Sequence, residues 1–222
     1  MTADASRDAR PAPRYPRGRE EFVRLLTFSD GLFAIAMTLL VVGIAVPTLQ
    51  QGDDVAELAD ALGALGGNFL SFFISFAVIG RYWAAHHQFF ALLRGADGGL
   101  VAINLVYLCF VAFLPFPTAL LGEYFENPLA VVIYAVNVAV ISGLEVVEFR
   151  HAYRHDLLDR KISPEVFSWG VRASLTPVLF FLLSVPIAFI DTSVAALTWL
   201  LVVPFGAAVD RRKPRGADEL RG

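Results

Sequence analysis

The chain holds 222 residues, 56% of them hydrophobic and 18% charged, against roughly a quarter charged in an average soluble domain, and its mean hydropathy is +0.60. That composition excludes a disordered or collagen-like chain, and a single cysteine, Cys109, excludes a disulfide framework. The 18 Lys and Arg against 21 Asp and Glu give a net charge of −3, which excludes the basic surface of a nucleic-acid binder.

The hydrophobicity is concentrated in six blocks free of Asp, Glu, Lys and Arg: residues 31–52, 61–80, 98–122, 127–144, 173–190 and 192–209, each at least 18 residues long. A helix needs about 20 residues to cross a ~30 Å hydrocarbon core. No polar face accompanies these runs, so they do not read as surface helices of a soluble protein. A cleaved signal peptide is set aside for the first block, because the chain is membranous throughout. The expectation is an all-α, multi-pass membrane protein with six transmembrane helices: a tail over 1–23, a membrane domain over 24–209 and a second tail over 210–222.

Charge orients it. All 18 Lys and Arg fall before span one, between spans two and three, between four and five, or after six. The other three connections carry only acids: Asp53, Asp54, Glu57, Asp60, Glu123, Glu126 and Asp191. By the positive-inside rule both termini are cytoplasmic and the acidic connections face outward. The Pro- and Arg-containing first 20 residues read as a mobile tail near anionic lipid head groups, and the last dozen read likewise.

Span one reads Arg24-Leu25-Leu26-Thr27-Phe28-Ser29-Asp30-Gly31-Leu32-Phe33-Ala34-Ile35-Ala36-Met37-Thr38-Leu39-Leu40-Val41-Val42. Steps of three and four align Arg24, Phe28, Gly31, Ile35, Thr38 with Leu39, Val42 and Ala45 on one stripe. The stripe suits either a packing seam, with Ser29 or Asp30 as an N-cap, or a pore lining with a hydroxyl between apolar constrictions. Asp30 points away from the stripe toward a basic group, Arg81 being one candidate. Span two carries Gly63 and Gly67 at the G-x-x-x-G spacing of close helix approach. Asn68, Ser71, Ser75, Asn104 and Asn137 read as interhelical hydrogen-bonding residues with no neighbour that makes them a site. Prolines 115, 117, 177, 186 and 204 mark kinks in spans three, five and six. Ser163-Pro164-Glu165 reads as the start of span five, and Asp191 as the turn of a tight hairpin between five and six.

Ionisable groups inside the membrane are expensive and mark function. The blocks hold none; Asp30 lies at one end of span one, and Glu145 and Glu148 at one end of span four. That counts against a proton-coupled carrier and against intramembrane proteolysis. The chain also lacks P-loop, H-E-x-x-H and G-x-S-x-G signatures, so no enzyme is expected. His86 and His87 point about 100° apart on a helix, unsuited to one metal. His151 and His155 have the i, i+4 spacing of a chelating pair, but no third ligand stands nearby, and a solvated segment is the expectation there.

The run Arg24-x-x-x-Phe28-Ser29-Asp30 leading into Gly31-Leu32-Phe33-Ala34-Ile35-Ala36-Met37-Thr38 resembles the first-helix signature of the transmembrane protein 175 family, as do Tyr82-Trp83-x-x-His86-His87 and the six-span count. The resemblance implies a prokaryotic single-repeat potassium channel in the cell membrane. It further implies a homotetramer among membrane lipids, with potassium as permeant ion, no cofactor and no metal. It places Ile35 at a hydrophobic constriction of a pore lined by helix 1, Thr38 beside it for selectivity, and Leu39 and Val42 in further apolar layers. Arg24, Phe28, Ser29 and Asp30, with Arg81, Trp83, His86 and His87, would hold helix 1 in place. The T-V-G-Y-G filter loop is absent, so selectivity would come from side chains and pore width. The alternatives are an ion- or proton-coupled carrier using Asp30 and a non-conducting membrane scaffold.

Overall fold

A computed structural model describes residues 12–50, 54–214 and 217; Asp53 of the acidic connections lies outside them. Nine helices and two short strands follow in chain order among the described residues. They are β1 (Tyr15–Pro16), α1 (Glu20–Val42), α2 (Val55–Ala64), α3 (Gly66–Ala91), β2 (Gly95–Ala96) and α4 (Gly98–Phe113), then α5 (Pro115–Glu123), α6 (Pro128–Arg154), α7 (Pro164–Ala188), α8 (Thr192–Leu200) and α9 (Val202–Arg211). Six units are long and apolar enough to cross a membrane: α1, α3, α4 with α5, α6, α7, and α8 with α9.

The helices overrun the charge-free blocks at their basic ends, because a helix terminates at caps and not at the first charge. α3 continues ten residues past Arg81, and α6 carries Glu145, Glu148 and Arg150 within it. The first helix is shifted furthest toward its basic end. α1 begins at Glu20 and ends at Val42, with Glu20 and Glu21 in the first turn where the helix dipole favours acids. Residues 43–50, including Ala45 of the stripe and Pro47, lie beyond it. Ser29 and Asp30 are therefore in the interior of α1, and neither is its N-cap.

Caps set the other boundaries where expected. Ser163 accepts from the Val166 amide with Pro164 at the first position of α7, and Asp191 accepts from Val194 to start α8 three residues after α7 ends. The prolines act unequally: Pro115 follows the break between α4 and α5, whereas Pro177 and Pro186 sit inside a continuous α7.

Gly63 and Gly67 fall on different helices, α2 and α3, so the G-x-x-x-G spacing is not one helix face. Gly63 faces open space. The close approach is instead between α3 and α5: a Cβ on Gly67 would sit 2.9 Å from the Gly122 carbonyl oxygen, and one on Gly122 would sit 2.9 Å from the Asn68 Cα. Interhelical polar bonds do stitch the interior, as the mild polar residues suggested. Thr118 donates to Ser75, which pairs with the Tyr134 hydroxyl, Tyr82 reaches Ser142, and Asn137 donates to the Phe110 carbonyl.

The basic end is a small structured layer. β1 pairs antiparallel with β2, the Arg17 amide donates to the Arg94 carbonyl, and the Arg94 amide to the Leu157 carbonyl. Phe22, Phe90, Leu93, Leu100, Leu157 and Leu158 fill it with apolar contact. Residues 12–19 are thus packed onto the loop between α3 and α4, where a mobile tail was expected. Ala217 likewise packs with Val166 and Trp169.

Candidate functional site

α1 has two faces. Phe22, Ser29, Phe33, Ala36 and Leu40 are buried in the protomer. Ile35 is two residues from Phe33, hence about 200° around the helix. It is 55% exposed, and Phe28, Leu39 and Val42 are exposed with it. Arg24, Gly31 and Thr38 complete the exposed stripe. The stripe is therefore not a seam within the protomer; it is left free for a second subunit, lipid or water to cover. The Thr38 hydroxyl donates to the Ile35 carbonyl oxygen at 2.8 Å. Its hydrogen is committed to the helix, and the oxygen lone pairs are left toward the exposed side.

The buried face is held by a directed relay. Ser29 donates from Oγ to the Leu25 carbonyl oxygen (3.0 Å), so toward Asn104 that oxygen must accept. Asn104 Nδ2 accordingly donates to it at 3.2 Å, which turns Asn104 Oδ1 to His86 at 2.9 Å and places the His86 proton on Nε2. One backbone carbonyl orients three side chains from α1, α4 and α3. All three are buried, and His86 lies between Phe90 and Tyr107, stacked on both.

On the next residue of α1, Asp30 accepts from Trp83 Nε1 at 2.9 Å, and Trp83 stacks on His87. The partner of Asp30 is thus Trp83 and not Arg81. An indole N–H gives a neutral donor where a guanidinium was anticipated. Arg81 instead lines a cavity between α3, α6 and α7 with Glu145, Glu148 and His86. Both carboxyl groups are turned inward there, and Glu148 is 2% exposed. The network the structure brings together is Ser29, Asp30, Trp83, His86, His87 and Asn104. Arg24 and Phe28 are exposed on the protomer and stand outside it, as does Arg81. Asn104 was missed because nothing in span three marks one asparagine as the bridge between two other helices.

At the basic end, Asp97 caps α4 through the Leu100 amide (2.7 Å) and binds His151 Nε2 at 2.8 Å. Partial burial pushes its carboxyl up, but the Leu100 amide and His151 outweigh that and hold it below its ordinary value of 3.8. Asp97 is the third group near His151 and His155 that spacing alone did not supply.

Residues 24–115, which contain both halves of this network, match the family model described as endosomal/lysosomal potassium channel TMEM175. A potassium channel of Streptomyces collinus is 33% identical over 190 residues, covering 82% of this chain and 90% of the relative. The chain belongs to the TMEM175 family. A potassium channel of Chamaesiphon minutus is 39% identical over 137 residues, 62% of this chain and 66% of that one. The crystal structure of a lysosomal potassium-selective channel TMEM175 homolog from the same organism superposes with a TM-score of 0.71 at 29% identity, over 86% of this chain and 99% of that one. A structure of the potassium channel MtTMEM175 shares the fold, with a TM-score of 0.63 at 22% identity over 91% of this chain and 97% of that one. The mouse TMEM175, named a proton channel, matches at 41% identity over 97 residues, only 19% of its own length. The family is one of potassium channels, not of enzymes.

Proposed function

We propose that this chain is the protomer of a homotetrameric, potassium-selective channel of the cell membrane, with α1 from each subunit lining the ion path and both termini in the cytoplasm. The observation that carries this reading is the exposed stripe on α1, which the protomer's own helices leave uncovered while they bind the opposite face through Ser29 and Asp30. Ile35 forms a hydrophobic constriction that conducts only when wide and wetted. Thr38, its donor spent on the Ile35 carbonyl, presents oxygen lone pairs that replace part of an ion's hydration shell. Leu39 and Val42 continue the apolar wall. Acids of the outward connections, Asp54, Glu57, Asp60, Glu123, Glu126 and Asp191 among them, concentrate cations at the mouth.

Potassium flux into liposomes carrying the purified protein tests this. Ile35→Asn raises the flux by opening and wetting the constriction, and Thr38→Ala lowers the preference for potassium over sodium. Flux no greater than that of empty liposomes, in wild type and Ile35→Asn alike, overturns the reading in favour of a scaffold.

A further inference from the structure

We infer that Asp97, His151 and His155 form a binding site for a divalent transition metal of the zinc class, clamping the start of α4 to the end of α6. One ligand atom from each of the three lies within 4.8 Å of the others. A tetrahedral ion with bonds of about 2.1 Å sets its donors about 3.4 Å apart. These donors stand within about 1.4 Å of the spacing an ion needs, and His155, exposed at the C-cap of α6, is free to turn toward it. Two imidazoles, one carboxylate and an open position for water are a donor set that suits zinc better than calcium or magnesium.

The surroundings already orient the donors. His155 Nδ1 lies 3.0 Å from the His151 carbonyl oxygen. A carbonyl only accepts, so Nδ1 carries the proton and the lone pair is on Nε2. This is the backbone-anchored tautomer that metal-binding histidines usually adopt. Asp97 divides its oxygens similarly. His151 Nε2 lies 2.8 Å from Oδ1 and 3.0 Å from Oδ2, but the Leu100 amide bonds Oδ1 alone, at 2.7 Å. Oδ2 can pass to a metal without undoing the cap. His151 Nε2, now a donor to the carboxylate, gives up its proton as the ion takes its place, and the bound ring carries its one remaining proton on Nδ1. The two imidazoles stack with centroids 4.0 Å apart, so the exposed His155 ring must turn out of the stack for both lone pairs to meet one ion. Gly99 makes room for them: a Cβ there would stand 2.5 Å from His151 Cε1.

The test uses Co2+ as probe on the full-length purified protein, reading the visible absorption of tetrahedral cobalt. Wild type shows a saturable band at one ion per protomer, abolished by competing Zn2+. His155→Ala alters an exposed residue, and Asp97→Asn keeps a side chain that caps helices well, so both fold, as thermal melts verify. Each weakens Co2+ binding by more than the about 10-fold loss that even an outer-shell change brings, and Cys109→Ser leaves it unchanged. Absence of a band in wild type, equal affinity in His155→Ala, or loss of the band in Cys109→Ser overturns the site. None of these readouts depends on ion conduction.

Discussion

Replacing Asn104 with Ala probes the relay that fixes α1 against α3 and α4. The substitution removes the acceptor of His86 Nε2 and the donor to Ser29 Oγ. The two losses are unequal. Ser29 keeps its bond to the Leu25 carbonyl, whereas the His86 N–H is left buried with no partner, at a cost of about 1–3 kcal/mol in soluble proteins. Interhelical hydrogen bonds in membranes average about 0.6 kcal/mol and reach about 1.7, because the unfolded chain also finds partners there. The expected loss is therefore about 1–2 kcal/mol. His86→Phe alone keeps the stacking on Phe90 and Tyr107 but strands the Asn104 oxygen, at similar cost. Together the two substitutions leave no stranded group between these positions, and exchanging both partners for apolar groups is nearly neutral for the bond itself. The double variant should lie about 1 kcal/mol above the sum of the singles. Equilibrium unfolding in mixed micelles measures all four corners of this cycle. Additivity within about 0.5 kcal/mol, the behaviour of independent sites, would refute the relay.

Other outcomes follow from particular contacts. Asp30→Asn keeps an oxygen for Trp83 Nε1 and should retain liposome flux, whereas Trp83→Phe removes that donor and should lower the melting temperature; loss of all flux in Asp30→Asn would favour a carrier. A cysteine in place of Ile35, in a Cys109→Ser background, should cross-link between subunits on oxidation; a purely monomeric product on a denaturing gel would count against α1 at a shared axis. Gly122→Ala drives a Cβ to 2.9 Å from the Asn68 backbone and should cost about 1–3 kcal/mol as overpacking does. Gly63→Ala meets open space and should be neutral or stabilising by up to about 1 kcal/mol. A larger loss at Gly63 than at Gly122 in thermal melts would reverse the assignment of the close-packed pair.

Six spans were legible because long apolar runs carry no ambiguity of period. Their ends were not, since absence of charge is only a proxy for helix. At Glu145 and Glu148 the helix continues while their side chains line a cavity between helices, and at residues 43–50 charge stays absent after the helix has stopped. The motif in α1 drew attention to Ser29 and Asp30, but their partners lie 53 to 75 residues away. Such pairings depend on how α3 and α4 rotate about their axes. Periodicity gives a helix its faces without saying which neighbour each face meets, so Trp83 could not be told from Arg81 as the partner of Asp30. The same limit hid Asp97 from His151.

Exposure of an apolar stripe would by itself say little in a membrane protein, where lipid covers the outside of every bundle. α8 and α9 expose Leu197, Leu200, Val203 and Phe205 as freely as α1 exposes Ile35 and Val42. What separates the two surfaces is their polar content. The exposed side of α1 also carries Arg24, Thr27 and Thr38, while α8 from Ala195 and α9 to Ala208 add only Thr198 to their apolar faces; all three threonine hydroxyls are turned to carbonyls of their own helix, so the charge of Arg24 is what sets α1 apart. Lipid penalises a charged group most of all, so the face that bears Arg24 is the one expected to turn toward water or protein. A spin label or fluorophore tests this directly. Placed at Thr38 it should be reached by a water-soluble quencher and shielded from a lipid-soluble one, and placed at Leu197 it should show the opposite order. Equal lipid access at both positions would remove α1 from the ion path, whatever the flux.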